Sequence, residues 1–304
     1  MRVGLILALL LPSCGGAVEV PEVISKALPY LESKGGQWMQ KRKCVSCHQI
    51  TSMLWSLGAV EQSGIGFDGT KLATWRKWAV DQTTALEADP KRTPPVDNMV
   101  KLMLGNADQA KGDLFAAFPA WILKQSTNDH WKAGGQLPRQ KRPARETDEV
   151  TTLWTMLALS PHARNDPALA EQLKRADTWV AQGRPGVSTE WWVARALTSK
   201  GRDRRQRFGR LLELQNDDGG WGWIAGEKSD ALATGLALYG LSRSGKSSDR
   251  DAIRAAREFL SSSQREDGSW EVPSTKKANK GESGPVSDYW GTAWAVVGLA
   301  VTLD

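Results

Sequence analysis

The sequence predicts an all-α protein in which six outer and six inner helices alternate and close into a single α6/α6 toroid. Three observations predict this fold. Stretches with Gln and Trp six positions apart recur along the chain, and amphipathic helical runs alternate with fully apolar ones. The 304 residues include 15 Trp, a side chain that needs extensive packing, which indicates a repeated structural use.

The first 17 residues predict an export signal. Arg2 precedes a short apolar stretch at residues 3–11, which is too short to span a bilayer. Two processing routes remain open. Cys14 lies in a lipobox-like context and would be lipidated, whereas cleavage after Ala17 would release a soluble product. We therefore expect an exported protein, periplasmic or membrane-tethered, with the toroid over residues 21–304.

Two complete Gln–Trp repeats and one partial copy set the rhythm of the chain. Gln215 and Trp221 enclose Asn-Asp-Asp-Gly-Gly, and Gln264 and Trp270 enclose Arg-Glu-Asp-Gly-Ser. Residues 125–131 keep the spacing without the glycines. The last two copies are 49 residues apart and the first two 90, which is about twice the repeat length. One copy between them has therefore degenerated.

The repeats separate amphipathic runs, expected outside, from apolar runs, expected inside. No stretch shows convincing β alternation. The predicted outer and inner runs are 21–34 with 48–63, 69–86 with 96–106, 109–125 with 147–160, 166–181 with 188–199, 202–215 with 229–243, and 249–264 with 288–303. Pro29 and Pro119 fall inside outer runs and should start, bend or shorten those helices.

The two complete repeats resemble the QW repeats of squalene–hopene cyclases and related prenyltransferase-type toroids. Residues 290–299, Trp-Gly-Thr-Ala-Trp-Ala-Val-Val-Gly-Leu, resemble the inner helix that follows such a repeat. The resemblance covers 109–303 well and 21–106 loosely, and it implies a terpenoid cyclase/prenyltransferase-like fold. It also implies that the Gln ties an outer helix to the next inner helix and that the Trp stacks on that join. Fold alone does not fix the chemistry.

The segment Cys44-Val-Ser-Cys47-His48 has the spacing of covalent haem attachment. The two thiols would form thioethers with the haem vinyl groups, and His48 would be the proximal iron ligand. Export agrees with this interpretation. A disulfide or redox pair and a zinc or incidental site are the alternatives, and zinc would find only His130 and His162 as further imidazoles. The sequence therefore predicts one covalent haem c.

The haem motif lies in the first outer-to-inner loop, where other repeats have their Gln–Trp turns. A regular toroid would place it at one rim with the loops 131–145, 221–229 and 270–287. The sequence does not decide the distal iron ligand, which is Met39, Met53, His130 or no protein side chain. An axial Met or His favours electron transfer, and an open position favours small-ligand chemistry. Basic loop residues that are candidates for contacting the haem propionates are Lys132, Arg142, Arg145 and Lys276.

An acidic stretch at 146–149, before an apolar inner run, supports an alternative function. Type II terpene cyclases resembling this fold protonate an alkene with an Asp-x-Asp-Asp motif. This sequence lacks that motif, and Asp148 is the nearest candidate for a general acid. Acids at a helix start also cap free amides and complement the helix dipole. Such cyclases carry a second helical domain, which does not fit in this length.

These observations lead us to expect electron transfer or small-ligand redox chemistry with an unidentified redox partner protein or small molecule. The alternatives are a terpenoid-cyclase-like enzyme acting on an apolar substrate through Asp148, and a repeat scaffold with a structural haem. The net charge of +6 is spread along the chain, which argues against a nucleic-acid partner. Membrane contact is expected only through a lipid anchor at Cys14. The sequence leaves undecided whether the toroid binds an apolar ligand.

Overall fold

The computed structural model describes residues 19–46, 48–106, 113–245 and 249–303. Within these ranges, α-helices are joined by loops, short 3-10 turns and isolated bridges, without a β-strand. The predicted all-α fold is therefore confirmed. The predicted export signal at 1–17, with Cys14, lies outside the described residues. None of the helices in the described ranges has both the length and the apolar character of a membrane span.

The helices alternate between an outer and an inner layer. The outer helices are α1 (Val20–Arg42), α3 (Gly69–Glu87), α5 (Phe118–Lys124), α7 (Pro167–Ala181), α9 (Gly201–Glu213) and α11 (Arg250–Ser263). The inner helices are α2 (Ile50–Gln62), α4 (Val96–Gly105), α6 (Ala144–Leu159), α8 (Thr189–Thr198), α10 (Ala231–Leu241) and α12 (Pro285–Ala300). Burial follows this division, because every residue of α10 is buried and α11 buries only Ala256 and Leu260.

The inner helices form a closed ring. Each one packs against the next, and α12 packs against α2 to complete the circle. Two outer helices differ from the predicted runs. Pro119 lies in the first turn of α5, so this helix is short, as the proline predicts. α1 instead continues through Pro29 to Arg42, and Gly35 allows its close contact with α2, because a Cβ there would collide with the Met53 sulfur.

The repeat tryptophans join each outer helix to the following inner helix. Trp270 Nε1 donates to the Leu260 carbonyl of α11 at 2.8 Å, and its backbone N–H donates to Thr292 Oγ1 of α12 at 3.2 Å. Trp221 and Trp131 make the same pair of bonds in their own repeats. The structural role predicted for these tryptophans is therefore what the structure shows.

The repeat glutamines have a different role from the one that the resemblance implies. Gln264 Nε2 donates to the Gly268 carbonyl of its own turn at 3.0 Å and to the Val23 carbonyl of α1 at 2.9 Å. Gln215 makes the equivalent bond to the Ala252 carbonyl of α11 at 2.9 Å. Each glutamine lies in the outer layer, so its side chain links its own turn to the next outer helix. The tryptophan makes the bond to the inner helix.

The degenerate repeat lies at residues 182–188. Gln182 is exposed, and the buried Ser188 stands six positions later, where other repeats have Trp. The backbone N–H and hydroxyl of Ser188 donate to Glu146 of α6 at 2.9 and 2.5 Å. A carboxylate of the preceding inner helix therefore holds this turn in place of a tryptophan. The first two recognisable repeats are accordingly about two repeat lengths apart.

Aromatic side chains fill the middle of the toroid. Trp55 of α2, Trp154 of α6, Tyr239 of α10 and Trp294 of α12 pack together with ring centroids 4.9 to 6.1 Å apart. α2, α6 and α10 are not neighbours in the ring, so their side chains meet across its interior. Aromatic pairs at these distances are favourable, and they occupy the space where a hollow toroid would accept a ligand.

Candidate functional site

The six outer-to-inner loops lie at one end of the toroid, because each connects the end of an outer helix to the start of an inner helix. The third and sixth loops contact each other there through an antiparallel bridge between Gln140 and Lys276. Lys141 N–H also donates to the Thr275 carbonyl at 2.8 Å. The first loop, which carries the haem motif, bonds to α4 through Asn98 Nδ2 and the Val45 carbonyl at 2.6 Å. This rim is the candidate site.

The haem-motif loop has a defined path. α1 ends at Lys43, whose left-handed backbone (φ 48°) turns the chain away from the helix axis. Trp38 Nε1 donates to the Cys44 carbonyl at 3.0 Å, and the Ser46 carbonyl accepts from the backbone at the start of α2. Cys44 is half-buried, and Cys47 lies outside the described residues. The loop is thus bonded to both helices that it connects.

His48 lines a cavity of about 190 Å³ between the first, third and sixth loops. The apolar part of its wall consists of Leu137, Pro285, Val286 and Trp290. The polar part includes Gln136, Gln140, Thr275, Lys276 and Asn279. Cofactor and drug-sized ligands occupy cavities of roughly 300–1,000 Å³. We call this space the His48 cavity. It lies below that range, so a haem held by His48 would extend beyond it onto the open rim.

The imidazole of His48 is neutral at physiological pH. Burial, together with the ammonium groups of Lys101 and Lys276, lowers the pKa of His48 to about 4. A metal ion binds the neutral form of imidazole. The same two ammonium groups place positive charge beside the His48 cavity, which would favour an anionic ligand there.

The donor set of the His48 cavity fits a haem. An apolar wall suits the porphyrin, a neutral imidazole suits the iron, and two nearby cations suit the propionates. Two buried polar atoms in the wall, Gln140 Oε1 and Trp290 Nε1, also have no hydrogen-bond partner in the described ranges. Buried polar atoms normally have partners. Four other side-chain atoms without one lie away from this cavity, so these two do not by themselves mark a binding site.

The three predicted distal ligands lie elsewhere. Met53 is fully buried in α2 and Met39 is buried in α1, both within the hydrophobic core. His130 stacks on Trp179 with ring centroids 4.1 Å apart. None of these three is among the residues that line the His48 cavity. Their assignment as iron ligands stays a prediction.

Of the four basic residues predicted to contact propionates, Lys276 lines the His48 cavity. Arg142 is buried and pairs with Glu190 at 2.9 Å. The other two do not line the cavity. Arg145 pairs with Glu149 at 2.9 Å, and Lys132 is exposed. Sequence reasoning missed Lys101, Gln140 and Trp290, because no motif marks them and three separate elements bring them together.

The acidic residues at the starts of α4 and α6 anchor the third loop. Asp148 accepts a hydrogen bond from the Ala133 N–H at 2.8 Å, and Asp97 accepts one from the Gly134 N–H at 3.2 Å. Asp97 also accepts from Thr151 Oγ1 at 2.7 Å and lines a small enclosed space of about 10 Å³. Burial raises the pKa of Asp97. Asp148 thus bonds to the third loop and does not cap α6, whose N-cap residue Pro143 makes no side-chain cap bond. Its assignment as a general acid stays a prediction.

Comparisons with known proteins identify the fold. No protein-family model and no curated protein matches this chain. A Salmonella enterica protein described as a possible GH105 family member matches 94% of this chain and 93% of its own, with a TM-score of 0.62 and 13% identity. A Bacteroides vulgatus glycosyl hydrolase of family 88 covers 92% and 99%, with a TM-score of 0.58 and 11% identity.

A terpene cyclase has the same fold. The type II terpene cyclase MstE from Scytonema covers 94% of this chain and 99% of its own, with a TM-score of 0.57 and 11% identity. At these identities the likeness concerns the fold alone. The predicted terpenoid-cyclase-like α/α toroid is therefore confirmed, and glycosyl hydrolases share it.

Proposed function

We propose that this chain is an exported c-type haem protein whose α/α toroid carries one haem at its rim for small-ligand redox chemistry or electron transfer. Cys44 and Cys47 would form the two thioethers, and His48 would be the proximal iron ligand. One observation carries the proposal: the histidine that ends the CxxCH motif lines a partly apolar cavity at the rim of the toroid. Its imidazole is neutral, because burial lowers its pKa to about 4.

The residues around the His48 cavity have definable tasks in this proposal. Leu137, Val286 and Trp290 exclude water from one side of the cavity, and Lys101 and Lys276 offset the negative charge of the propionates. The bridge between the third and sixth loops fixes the cavity wall. When bound, a c-type haem supplies one-electron chemistry and, where its sixth position is open, ligand binding.

The two redox roles differ in the sixth iron ligand. Met39, Met53 and His130 are absent from the lining of the His48 cavity, and an open sixth position favours ligand binding over simple electron transfer. Export and processing at Cys14 or Ala17 belong to the same proposal, because haem is attached to CxxCH motifs outside the cytoplasm.

Two alternatives stay open, and the fold shared with the type II terpene cyclase MstE gives the first of them weak support. Acid catalysis on an apolar substrate needs a hollow toroid, whereas four aromatic rings fill the middle of this one. The enclosed space beside Asp97 is about 10 Å³, which is far below the usual range of roughly 300–1,000 Å³ for ligand cavities. In the second alternative, a repeat scaffold with a purely structural haem, the haem would bind no added ligand. This property distinguishes it from the proposed function.

An optical experiment tests the proposal. The protein is exported from a host with haem-attachment machinery, purified and reduced, and its spectrum is recorded with and without carbon monoxide. We expect a high-spin ferrous spectrum that carbon monoxide shifts. His48→Ala should abolish the imidazole-ligated spectrum, while the matched control His162→Ala, at an exposed position, should keep it. Identical spectra for wild type and His48→Ala would contradict the assignment of the proximal ligand.

A further inference from the structure

A groove lies at the end of the toroid opposite the His48 cavity. Its walls are the outer helices α7 and α9, and its floor is formed by the C-terminal ends of the inner helices α6 and α8. Inner helices start at the rim that carries the haem motif, so their C-terminal ends mark the other rim. The groove has a volume of about 670 Å³, within the roughly 300–1,000 Å³ of ligand sites. We call it the α7–α9 groove.

The wall on α7 is a second face of that helix, distinct from the face that packs on the core. The buried residues of α7 are Leu169, Gln172, Ala176 and Val180. The residues that line the groove recur every three or four positions, which places them together on one side of a helix. They are Ala170, Leu173, Lys174 and Asp177. Ala170 is small and exposed, so this side of α7 is open.

The floor of the groove is apolar. Met156 and Leu157, at the end of α6, and Leu173 of α7 pack against the core and also line the groove. All three stay partly accessible, whereas every residue of the inner helix α10 is buried. An apolar chain lying in the groove would remove this surface from water, which is favourable.

The rim of the groove is positively charged. Lys174 on α7 and Lys200, the N-cap residue of α9, line it from opposite walls and are exposed. Neither forms an ion pair within the described ranges. Arg204 is a third cation, and its Nη1 donates to the Ala196 and Leu197 carbonyls at 3.2 and 3.0 Å. This guanidinium is therefore held at the end of α8.

The acidic side chains beside these cations already have partners. Asp177, which lines the groove, pairs with Arg195 at 2.8 Å. Asp203, in the first turn of α9, accepts a hydrogen bond from Ser199 Oγ at 2.6 Å and pairs with Arg207 at 3.1 Å. The two lysines thus give the rim an uncompensated positive charge, which favours an anionic group above the apolar floor.

We infer that the α7–α9 groove binds a single-chain amphiphile with a carboxylate head group, such as a medium-chain fatty acid. The chain lies on the apolar floor, and the carboxylate pairs with Lys174 and Lys200. A bilayer surface fits less well, because the floor lies between two helices. The large apolar side chains that are exposed in the described ranges also lie elsewhere; they are Leu114, Val187 and Val286.

The site is independent of the proposed haem, because the two lie at opposite ends of the toroid. Isothermal titration calorimetry of the purified full chain with hexanoate, octanoate and decanoate, each below its micelle concentration, tests it. We expect each added methylene to tighten binding by roughly two- to fourfold, since it buries more apolar surface. Decyltrimethylammonium, which has the same chain and the opposite charge, should bind at least tenfold more weakly than decanoate.

Variants test the rim and the floor separately. Lys174→Glu combined with Lys200→Glu should weaken decanoate binding about tenfold at low ionic strength and less in high salt. Lys228→Glu, at an exposed position outside the groove, is the charge control and should bind like wild type. Ala170→Trp should fill the groove and abolish binding. Ala181→Trp, at an exposed position of α7 outside the groove, should not. Circular dichroism checks that each variant is folded.

Four results would overturn the inference. Decanoate binding that is absent, or that survives Ala170→Trp, would show that the chain does not lie in the groove. Equal affinity for decyltrimethylammonium would show that the lysines do not select the head group. An acidic peptide without apolar side chains that binds as tightly as decanoate would indicate a protein partner. Anionic phospholipid vesicles that bind while decanoate does not would indicate a membrane surface. Protein purified without haem would contradict the proposed function alone.

Discussion

Gln264 offers a direct test of how the toroid closes. Its side-chain amide donates to the Val23 carbonyl at 2.9 Å and to the Gly268 carbonyl at 3.0 Å. Val23 belongs to α1, so this side chain joins the last outer helix to the first. Gln264→Met keeps the length of the side chain and removes both hydrogen bonds.

The expected loss follows from the two bonds. Each neutral hydrogen bond contributes a net ~0.5–1.5 kcal/mol to folding, so removing both should lower the free energy of unfolding by about 1–3 kcal/mol. Gln215→Met should have a similar effect, because Gln215 donates to Gly219 and Ala252 carbonyls at 2.8 and 2.9 Å. The exposed Gln182 of the degenerate repeat is the matched control, and Gln182→Met should change the free energy by no more than ~0.5 kcal/mol.

Urea unfolding followed by circular dichroism measures these differences. We expect the midpoint to fall in Gln264→Met while the dependence on urea concentration stays constant, which indicates a change in stability alone. A Gln264→Met midpoint equal to that of wild type would refute the closing role of this side chain. An equal loss in Gln182→Met would show that the effect has no connection with the repeat.

Two other stability predictions concern buried charges. Burial raises the pKa of Asp230 to about 6 from an ordinary 3.8. The folded state therefore binds the carboxyl proton more tightly than the unfolded state does. The free energy of unfolding that this proton contributes is present below pH 4 and is lost as the pH rises through 6. Between pH 4 and 7, wild type should therefore lose about 2 kcal/mol relative to Asp230→Asn, and a pH-independent difference in urea unfolding would contradict this. Arg142→Met leaves the buried Glu190 without its 2.9 Å partner and should cost about 3–5 kcal/mol. Arg210→Met breaks an exposed pair and should cost at most ~1 kcal/mol in the same assay; equal losses would show that burial does not decide the effect.

The alternation of outer and inner helices could be predicted from sequence because hydrophobic periodicity distinguishes the two layers. α10 is apolar on every side and lies inside, whereas α11 has a narrow apolar stripe and lies outside. The length of α1 could not be predicted in the same way. Gly35 and Pro29 suggest a break, but close packing against Met53 keeps the helix intact to Arg42.

The candidate site was predictable only where a local motif marks it. The spacing of Cys44, Cys47 and His48 predicts a haem-attachment segment without any knowledge of the fold. Gln140 and Trp290 come from the third loop and α12, and only the ring closure brings them to the same cavity. The glutamine contacts were also misassigned, because the bond from Gln264 to Val23 spans the whole chain and leaves no local pattern.

The exported protein's intact mass, combined with a pyridine haemochrome spectrum, tests the central claim most directly. We predict the mass of the processed chain plus one haem, with the spectrum of a haem bound through two thioethers. In Cys44→Ala the spectrum should shift to that of a single thioether or the haem should be lost. A wild-type mass without haem, with the motif cysteines reduced or bridged, would contradict the claim.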